Sequence, residues 1–214
     1  MAYTICPIPK PVSEEHLTHY IRIRLATLKT NPEAFGSTFA DESAFPRSQW
    51  RARVDKPART IFFATTASST IPNASLGDTA SYHDEDYQGS KWIGILSLLG
   101  PDMLRGVTFP PKIAEAADRN TEIYMLTGMW VDPDFRKKGV GRQLVEHALR
   151  AARDLFVNDS IQRNTEGKDR RGRILALQVH NTNFAAQRLY QRHGFVVHPE
   201  LTEEDRKWMA LNIR

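Results

Sequence analysis

The sequence predicts a mixed α/β domain built around one sheet. Three observations carry that reading. Runs rich in β-branched and aromatic residues, "TIFFATT" (Thr60 to Thr66), "KWIGILSLL" (Lys91 to Leu99), "EIYMLTGMWV" (Glu122 to Val131) and "ILALQV" (Ile174 to Val179), have the length of strands. Between them lie segments whose apolar residues recur at helical spacing. The chain of 214 residues, 41% hydrophobic and 25% charged, is long enough for one sizeable core and has the balance of a globular protein.

The elements follow in order. A short extended run, Tyr3 to Ile8, is stopped by Pro7, Pro9 and Pro11. Ser13 with Glu14 and Glu15 then forms a helix N-terminus, and Leu17, Tyr20, Ile21, Ile23, Arg24, Leu25 and Leu28 continue a helix that Pro32 ends. "NPEAFGSTFADES" reads as a turn-rich connection to a second helical piece, about Pro46 to Val54. The first two strands enclose a stretch rich in Ser, Thr, Asp and Gly that reads as a long loop, and Gly100 to Thr121 reads as a second irregular segment. Glu122 to Val131 is apolar on nearly every position, as expected of a central strand covered on both faces. Val140, Leu144, Ala148, Ala151 and Leu155 place a helix from Gly139 to about Phe156. A charged linker, "NDSIQRNTEGKDRRGR", precedes the strand Ile174 to Val179. A helix from about Asn183 to Arg192, a break at His193 and Gly194, and short strands near Phe195 to His198 and Lys207 to Ile213 complete the pattern. One domain over residues 1–214 is expected, with loop insertions near 67–90, 100–121 and 157–172.

Composition excludes some classes. The apolar runs fall far short of the roughly 18 residues of a membrane span, and the N-terminus lacks the pattern of a secretion signal, so a cytoplasmic location is expected. The single cysteine, Cys6, fits a reducing compartment and reads as a small buried hydrophobe. No cluster of His, Cys, Asp and Glu has metal-ligand spacing, and no metal is expected. The formal charge of +4 is compatible with an anionic ligand, and its position matters more than its total.

That charge gathers at "FRKKGVGRQL", Phe135 to Leu144. A strand followed by Gly-x-Gly and a helix leaves backbone N–H groups unpaired at a helix N-terminus, where the dipole adds positive charge and glycine admits a ligand close to the backbone. Arg136, Lys137, Lys138 and Arg142 add side-chain charge around Gly139, Val140 and Gly141. Read alone, this is either a cradle for a pyrophosphate or an ordinary basic surface turn, and its neighbours decide. A Walker loop needs Lys-Ser/Thr after its last glycine, where Arg142 and Gln143 stand. A dinucleotide fingerprint needs a third small residue where Leu144 stands.

The loop Arg-x-x-Gly-x-Gly, preceded by "MWVDP" and followed by "LQVHNTNFAAQRLYQRHGF" (Leu177 to Phe195), resembles the signature blocks of the GNAT acyltransferase superfamily, and "LKTNPEAFGSTF" resembles its N-terminal helix region. The resemblance implies a central, mostly antiparallel sheet of about six to seven strands with a splayed parallel pair, flanked by about four helices. It implies acetyl-CoA as cosubstrate and an N-acetyltransferase that acts on a primary amine by direct attack in a ternary complex. The CoA pyrophosphate would lie on the amides around Arg136 to Arg142, and the pantetheine arm along the strand, pairing with its backbone near Met129, Trp130 and Val131. Asn183 and Tyr190, seven residues apart, share one helix face with Ala186 between them. Asn183 resembles the residue that bonds the pantetheine arm, and Tyr190 the general acid that protonates the departing thiolate. Read by themselves, Asn183 is a helix cap and Tyr190 a core aromatic.

The resemblance departs at one position. Six residues before Val131, where many members place a glutamate that takes the amine's proton, this chain has Met125. Glu122 and His180 are the candidates to act instead through a water, or the amine loses its proton to solvent. Two other functions stay open: a CoA-binding domain without catalysis, and a nucleic-acid binder using "GKDRRGR", which has no interleaved aromatics to stack on bases. Monomer and homodimer are both compatible with the sequence.

Overall fold

The computed structural model describes residues 3–66, 91–118, 121–166, 172–203 and 205–213. The loop expected near 67–90 and the "GKDRR" part of the linker lie outside these residues. The elements are β1 (Thr4–Pro7), α1 (Glu14–Thr30), α2 (Phe39–Ser43), α3 (Arg47–Val54), β2 (Arg59–Thr65), β3 (Trp92–Leu99), α4 (Pro111–Asp118), β4 (Thr121–Val131), α5 (Val140–Glu166), β5 (Gly172–His180), α6 (Phe184–Arg192), β6 (Val196–Glu203) and β7 (Arg206–Ile213). The strands form a seven-stranded sheet in the order β1-β2-β3-β4-β5-β7-β6. It is mixed and mostly antiparallel, with β4 and β5 as a parallel pair. Among the described residues no helix is long and apolar enough to cross a membrane.

Local chemistry sets most boundaries. The Ser13 hydroxyl accepts from the His16 N–H and starts α1, and Asn31 closes it before Pro32. Four segments differ from the sequence reading. Within the turn-rich connection expected over Asn31 to Ser43, Phe39–Ser43 form α2, capped by Thr38 accepting from the Asp41 N–H. Gly100 to Thr121 is not irregular throughout: Pro101–Met103 form a 3-10 turn and Pro111–Asp118 form α4, where Pro111 takes the first helical position and Ile113 is buried against Ile123 and Trp208. Helix α5 runs ten residues past Phe156, to Glu166, through the first part of the charged linker. Strand β6 extends to Glu203 rather than His198.

The chain forms two compact units. Unit 1, residues 1–97 and 128–144, has a core of Leu17, Tyr20, Ile23, Trp50, Phe63, Trp92, Ile95 and Trp130, in which Phe63 and Trp92 stack at 4.0 Å. The first turn of α5 packs close to the sheet because Gly94 has no side chain. A Cβ there would lie 3.1 Å from the Leu144 side chain, 3.2 Å from the Trp130 carbonyl and 3.3 Å from Val140. Unit 2, residues 98–127 and 145–214, buries Ile123, Ile174, Ala176, Trp208 and Ala210, with Met125 half-buried against them. Its parallel register runs from Thr121↔Gly172 to Met125↔Ala176 and stops there, although β4 continues to Val131 and β5 to His180. Beyond that point β4 is not covered on both faces as its sequence suggests: Gly128, Met129 and Val131 are only half-buried.

Unit 1 also contains a buried charge cluster. The Glu42 side chain is 1% exposed and accepts from Arg24 through Nε at 2.8 Å and Nη2 at 2.7 Å, and from Arg53 Nη1 at 3.0 Å. Burial pushes its carboxyl up, but the two guanidinium groups outweigh burial and hold it at about 2, below its ordinary 4.5. A depressed carboxyl stabilises the fold above its unfolded pKa and loses that effect as pH falls through its folded value. Glu42→Gln is therefore expected to cost about 3 kcal/mol or more near neutral pH, because it leaves the buried Arg24 and the half-buried Arg53 without their carboxylate. In thermal melts the gap between wild type and Glu42→Gln should be constant above about pH 4.5 and narrow as pH falls toward 2.

Candidate active site

The glycine loop is built in unit 1. After β4, Asp132 caps a 3-10 turn, Pro133–Phe135, by accepting from the Asp134 N–H at 3.0 Å, and its own N–H donates to the Ile93 carbonyl at 2.8 Å. Its carboxyl, pushed up by burial, is held below the usual carboxylate range by Lys91, whose Nζ lies 2.7 Å away. The backbone then turns left-handed twice, at Lys137 (φ 60°) and Gly139 (φ 90°), and α5 begins at Val140. The Gln143 N–H reaches back to the Gly139 carbonyl at 3.1 Å, so the N–H groups of Val140 and Gly141 precede the first helical bond and face out of the helix end. A Cβ on Gly139 would meet nothing within 4 Å, so open space lies against the backbone at this turn.

The four cations of the loop do different things. Lys137 and Lys138 are exposed, with Lys138 Nζ 5.4 Å from the Phe135 ring centre. Arg142 is exposed in the first turn of α5. Arg136, expected to add charge to the cradle, instead braces it: Nε donates to the Val131 carbonyl at 3.0 Å and Nη2 to Asn31 Oδ1 at 2.6 Å. The same Asn31 oxygen accepts from Trp130 Nε1 at 3.2 Å, and the Trp130 ring is buried in the core. Asn31 was not singled out in the sequence, because nothing in "LKTNPEAF" points to residues a hundred positions away. Met129 and Val131 stand half-buried on the part of β4 beyond its register with β5.

The second group lies in unit 2. Asn183 caps α6, its Oδ1 accepting from the Ala186 N–H at 3.1 Å. One turn on, Gln187 is buried, and its Nε2 donates to the carbonyls of His180 at 3.0 Å and Asn181 at 2.9 Å, which ties α6 to the end of β5. Gln187 follows Asn183 by four residues and precedes Tyr190 by three, so the same helical face could have revealed it. Tyr190 is 6% exposed and packs edge-on against Phe195 at 5.6 Å, and burial pushes its phenol up from the ordinary value. Its backbone carbonyl accepts from His193 and Phe195, closing the helix before Gly194.

The candidate bases differ in how they are held. Glu122 accepts from Arg173 Nε at 3.1 Å, and that guanidinium is buried, donates to the Ala152 carbonyl and lies over the Tyr124 ring. His180 Nδ1 lies 2.8 Å from the Thr182 hydroxyl, and Nε2 is 3.4 Å from the Asp205 carboxylate. Met125 packs among apolar residues and has no proton to exchange. Among the described residues no group of three His, Cys, Asp or Glu could hold a metal ion.

The left-handed turn gives a direct test. An L-residue at Gly139 meets backbone strain and no clash, so Gly139→Ala should lower stability by about 1–3 kcal/mol in denaturant unfolding while leaving the core intact.

Comparison with known proteins bears on the fold. Residues 111–197 match the acetyltransferase (GNAT) domain family. No curated protein matches the sequence. Among solved structures, an acetyltransferase of the GNAT family from Streptococcus pneumoniae aligns over 100% of both chains at 17% identity with a TM-score of 0.58. NAA60 from Arabidopsis thaliana aligns in two complexes: with a bisubstrate analogue at 15% identity over 98% of both chains (TM-score 0.52), and with acetyl-CoA at 14% identity over 99% of both chains (TM-score 0.51). At these identities the likeness is one of fold.

Proposed function

Because residues 111–197 carry a GNAT acetyltransferase domain and the whole chain has the fold of these acyltransferases, we propose that it moves an acetyl group from acetyl-CoA to a primary amine by direct attack in a ternary complex. One observation carries this reading: a left-handed, glycine-based turn delivers the start of α5 with outward-facing N–H groups and open space before them. Those donors suit the CoA pyrophosphate, with Lys137, Lys138 and Arg142 around them and Arg136 bracing the loop from behind. The half-buried backbone of β4 near Met129 and Val131, past the end of its register with β5, suits the amide-rich pantetheine arm as an added strand. The Val131 carbonyl also accepts from Arg136, which fixes the end of the strand along which the arm would lie.

In the reaction the neutral amine attacks the thioester carbonyl, the C–S bond breaks, and the thiolate leaves with a proton. Tyr190 is the proposed donor of that proton; its phenol is protonated at neutral pH, and because burial disfavours the phenolate, donation has to be coupled to departure of the thiolate. Asn183 would bond the arm through its side-chain amide while its oxygen caps α6. The ammonium proton would pass through a water to His180, which meets Thr182 and Asp205, or to Glu122, which accepts from the buried Arg173, or be lost to solvent before binding. The cytoplasm is the proposed location.

Two measurements test the assignment. CoA should raise the melting temperature of the wild type in a concentration-dependent way, and Gly139→Asp, which sets a carboxylate against the pyrophosphate site, should abolish that shift. A wild type that shows neither a thermal shift nor calorimetric heat at saturating CoA defeats the reading. Tyr190→Phe keeps the ring and removes the donor. Its CoA affinity should stay within a few-fold while turnover falls by about 10², the effect usual for a general acid. Unchanged turnover with lowered stability would make Tyr190 a core residue only.

A further inference from the structure

Among the described residues of unit 1, the arginines Arg24 and Arg59 are buried and Arg53 is half-buried, and the buried carboxylate, Glu42, is bonded by Arg24 and Arg53. Arg59 is 7% exposed, and among the described residues its side chain makes one long hydrogen bond, Nη2 to Ser97 Oγ at 3.3 Å. Its Nε is buried and has no hydrogen-bond partner among the described residues. No ion pair of the described residues includes it. Burial pulls the guanidinium below its ordinary pKa and Arg53 and Arg24 add to that, while Tyr20 and Glu42 offset it in part.

A buried cation held by one neutral hydroxyl is unfavourable, and buried charges are normally paired. The location gives the exception a use. Ser97 Oγ lies 4.0 Å from where a Cβ of Gly128 would stand, and Gly128, at φ 65°, precedes Met129 on β4. With the pyrophosphate at the loop beyond Val131, the arm runs back along β4, so its reacting end lies on the Gly128 side. Arg59 is therefore close to where an acceptor amine must come.

We propose that Arg59, with Ser97, anchors a carboxylate carried by the acceptor, so that the substrate is a small amine bearing an acid group, held by its carboxylate with its amine toward Gly128 and Met129. The planar fork of arginine matches a carboxylate, and an acceptor of this kind supplies the charge that Glu42 cannot. The inference rests on the acetyl-transfer reading above.

The test uses glycine, β-alanine and γ-aminobutyrate, each against its own amide, because the span from carboxylate to amine sets which one fits. Two readouts at matched ionic strength are CoA release from acetyl-CoA and the added thermal shift of the CoA-bound protein. At least one acid should exceed its amide tenfold in kcat/KM, or stabilise where its amide does not, and Arg59→Gln should reduce that preference to within twofold. The CoA-induced shift should be the same in wild type, Arg59→Gln and Arg59→Met. Arg59→Met should melt no lower than wild type, since it replaces an uncompensated buried charge by an apolar chain of similar size. The absence of any acid preference in both readouts, or its survival in Arg59→Gln, overturns the proposal while leaving the acetyl-transfer reading standing. Loss of the CoA shift in the wild type itself would strike that reading instead.

Discussion

The close approach of α5 to the sheet at Gly94 is the constraint on which the candidate site depends. A side chain of any size at that position would press on Leu144, on Val140 and on the Trp130 carbonyl, all at 3.1–3.3 Å from its first carbon. With hydrogen there, the first turn of α5 settles against β3 and β4, and the loop between Val131 and Val140 has little room for alternatives. It must turn sharply, which it does with left-handed residues at 137 and 139, and its amides are delivered at one place in front of the helix. Packing inside the unit thus decides where an anion can be held.

Arginine is used in this fold in three different ways. Arg136 is a brace: a planar donor that joins the end of β4 to the end of α1 through Asn31, and so couples the loop to a helix far away in sequence. Arg24 and Arg53 are structural cations, satisfied by a carboxylate that they hold ionised in the interior. Arg59 has neither role among the described residues, and a buried cation held this way is the kind of local inconsistency that functional sites retain. One residue type at four positions thus differs only in what the tertiary structure places around it.

The order of the elements was legible in the sequence where local signals set it. Ser13 and Pro32 bound α1, the apolar runs mark β2 to β5, and Gly139 to Gly141 mark the loop and the start of α5. Helix α4 was missed because its prolines read as breakers, while its stability comes from burying Ile113 against Ile123 and Trp208, contacts that no short window contains. The tail of α5 past Phe156 was missed because its sequence carries no apolar period. Asn183 and Tyr190 were legible as one helix face, yet the same reading passed over Gln187, which lies between them and ties that helix to β5.

By itself, then, the sequence determined the mixed α/β class, the succession of strands and helices, and the position of a glycine turn suited to a pyrophosphate, because each of these depends on backbone preferences and hydrogen bonds within a few residues. Only the tertiary structure decided that Arg136 braces the loop, that Glu122 meets Arg173 while His180 lies beside Asp205, and that Arg59 has Ser97 as its side-chain partner among the described residues. Those outcomes depend on which side chains meet across roughly 25 to 105 positions of chain, and the energy of a buried charge depends on its neighbours rather than on its own identity.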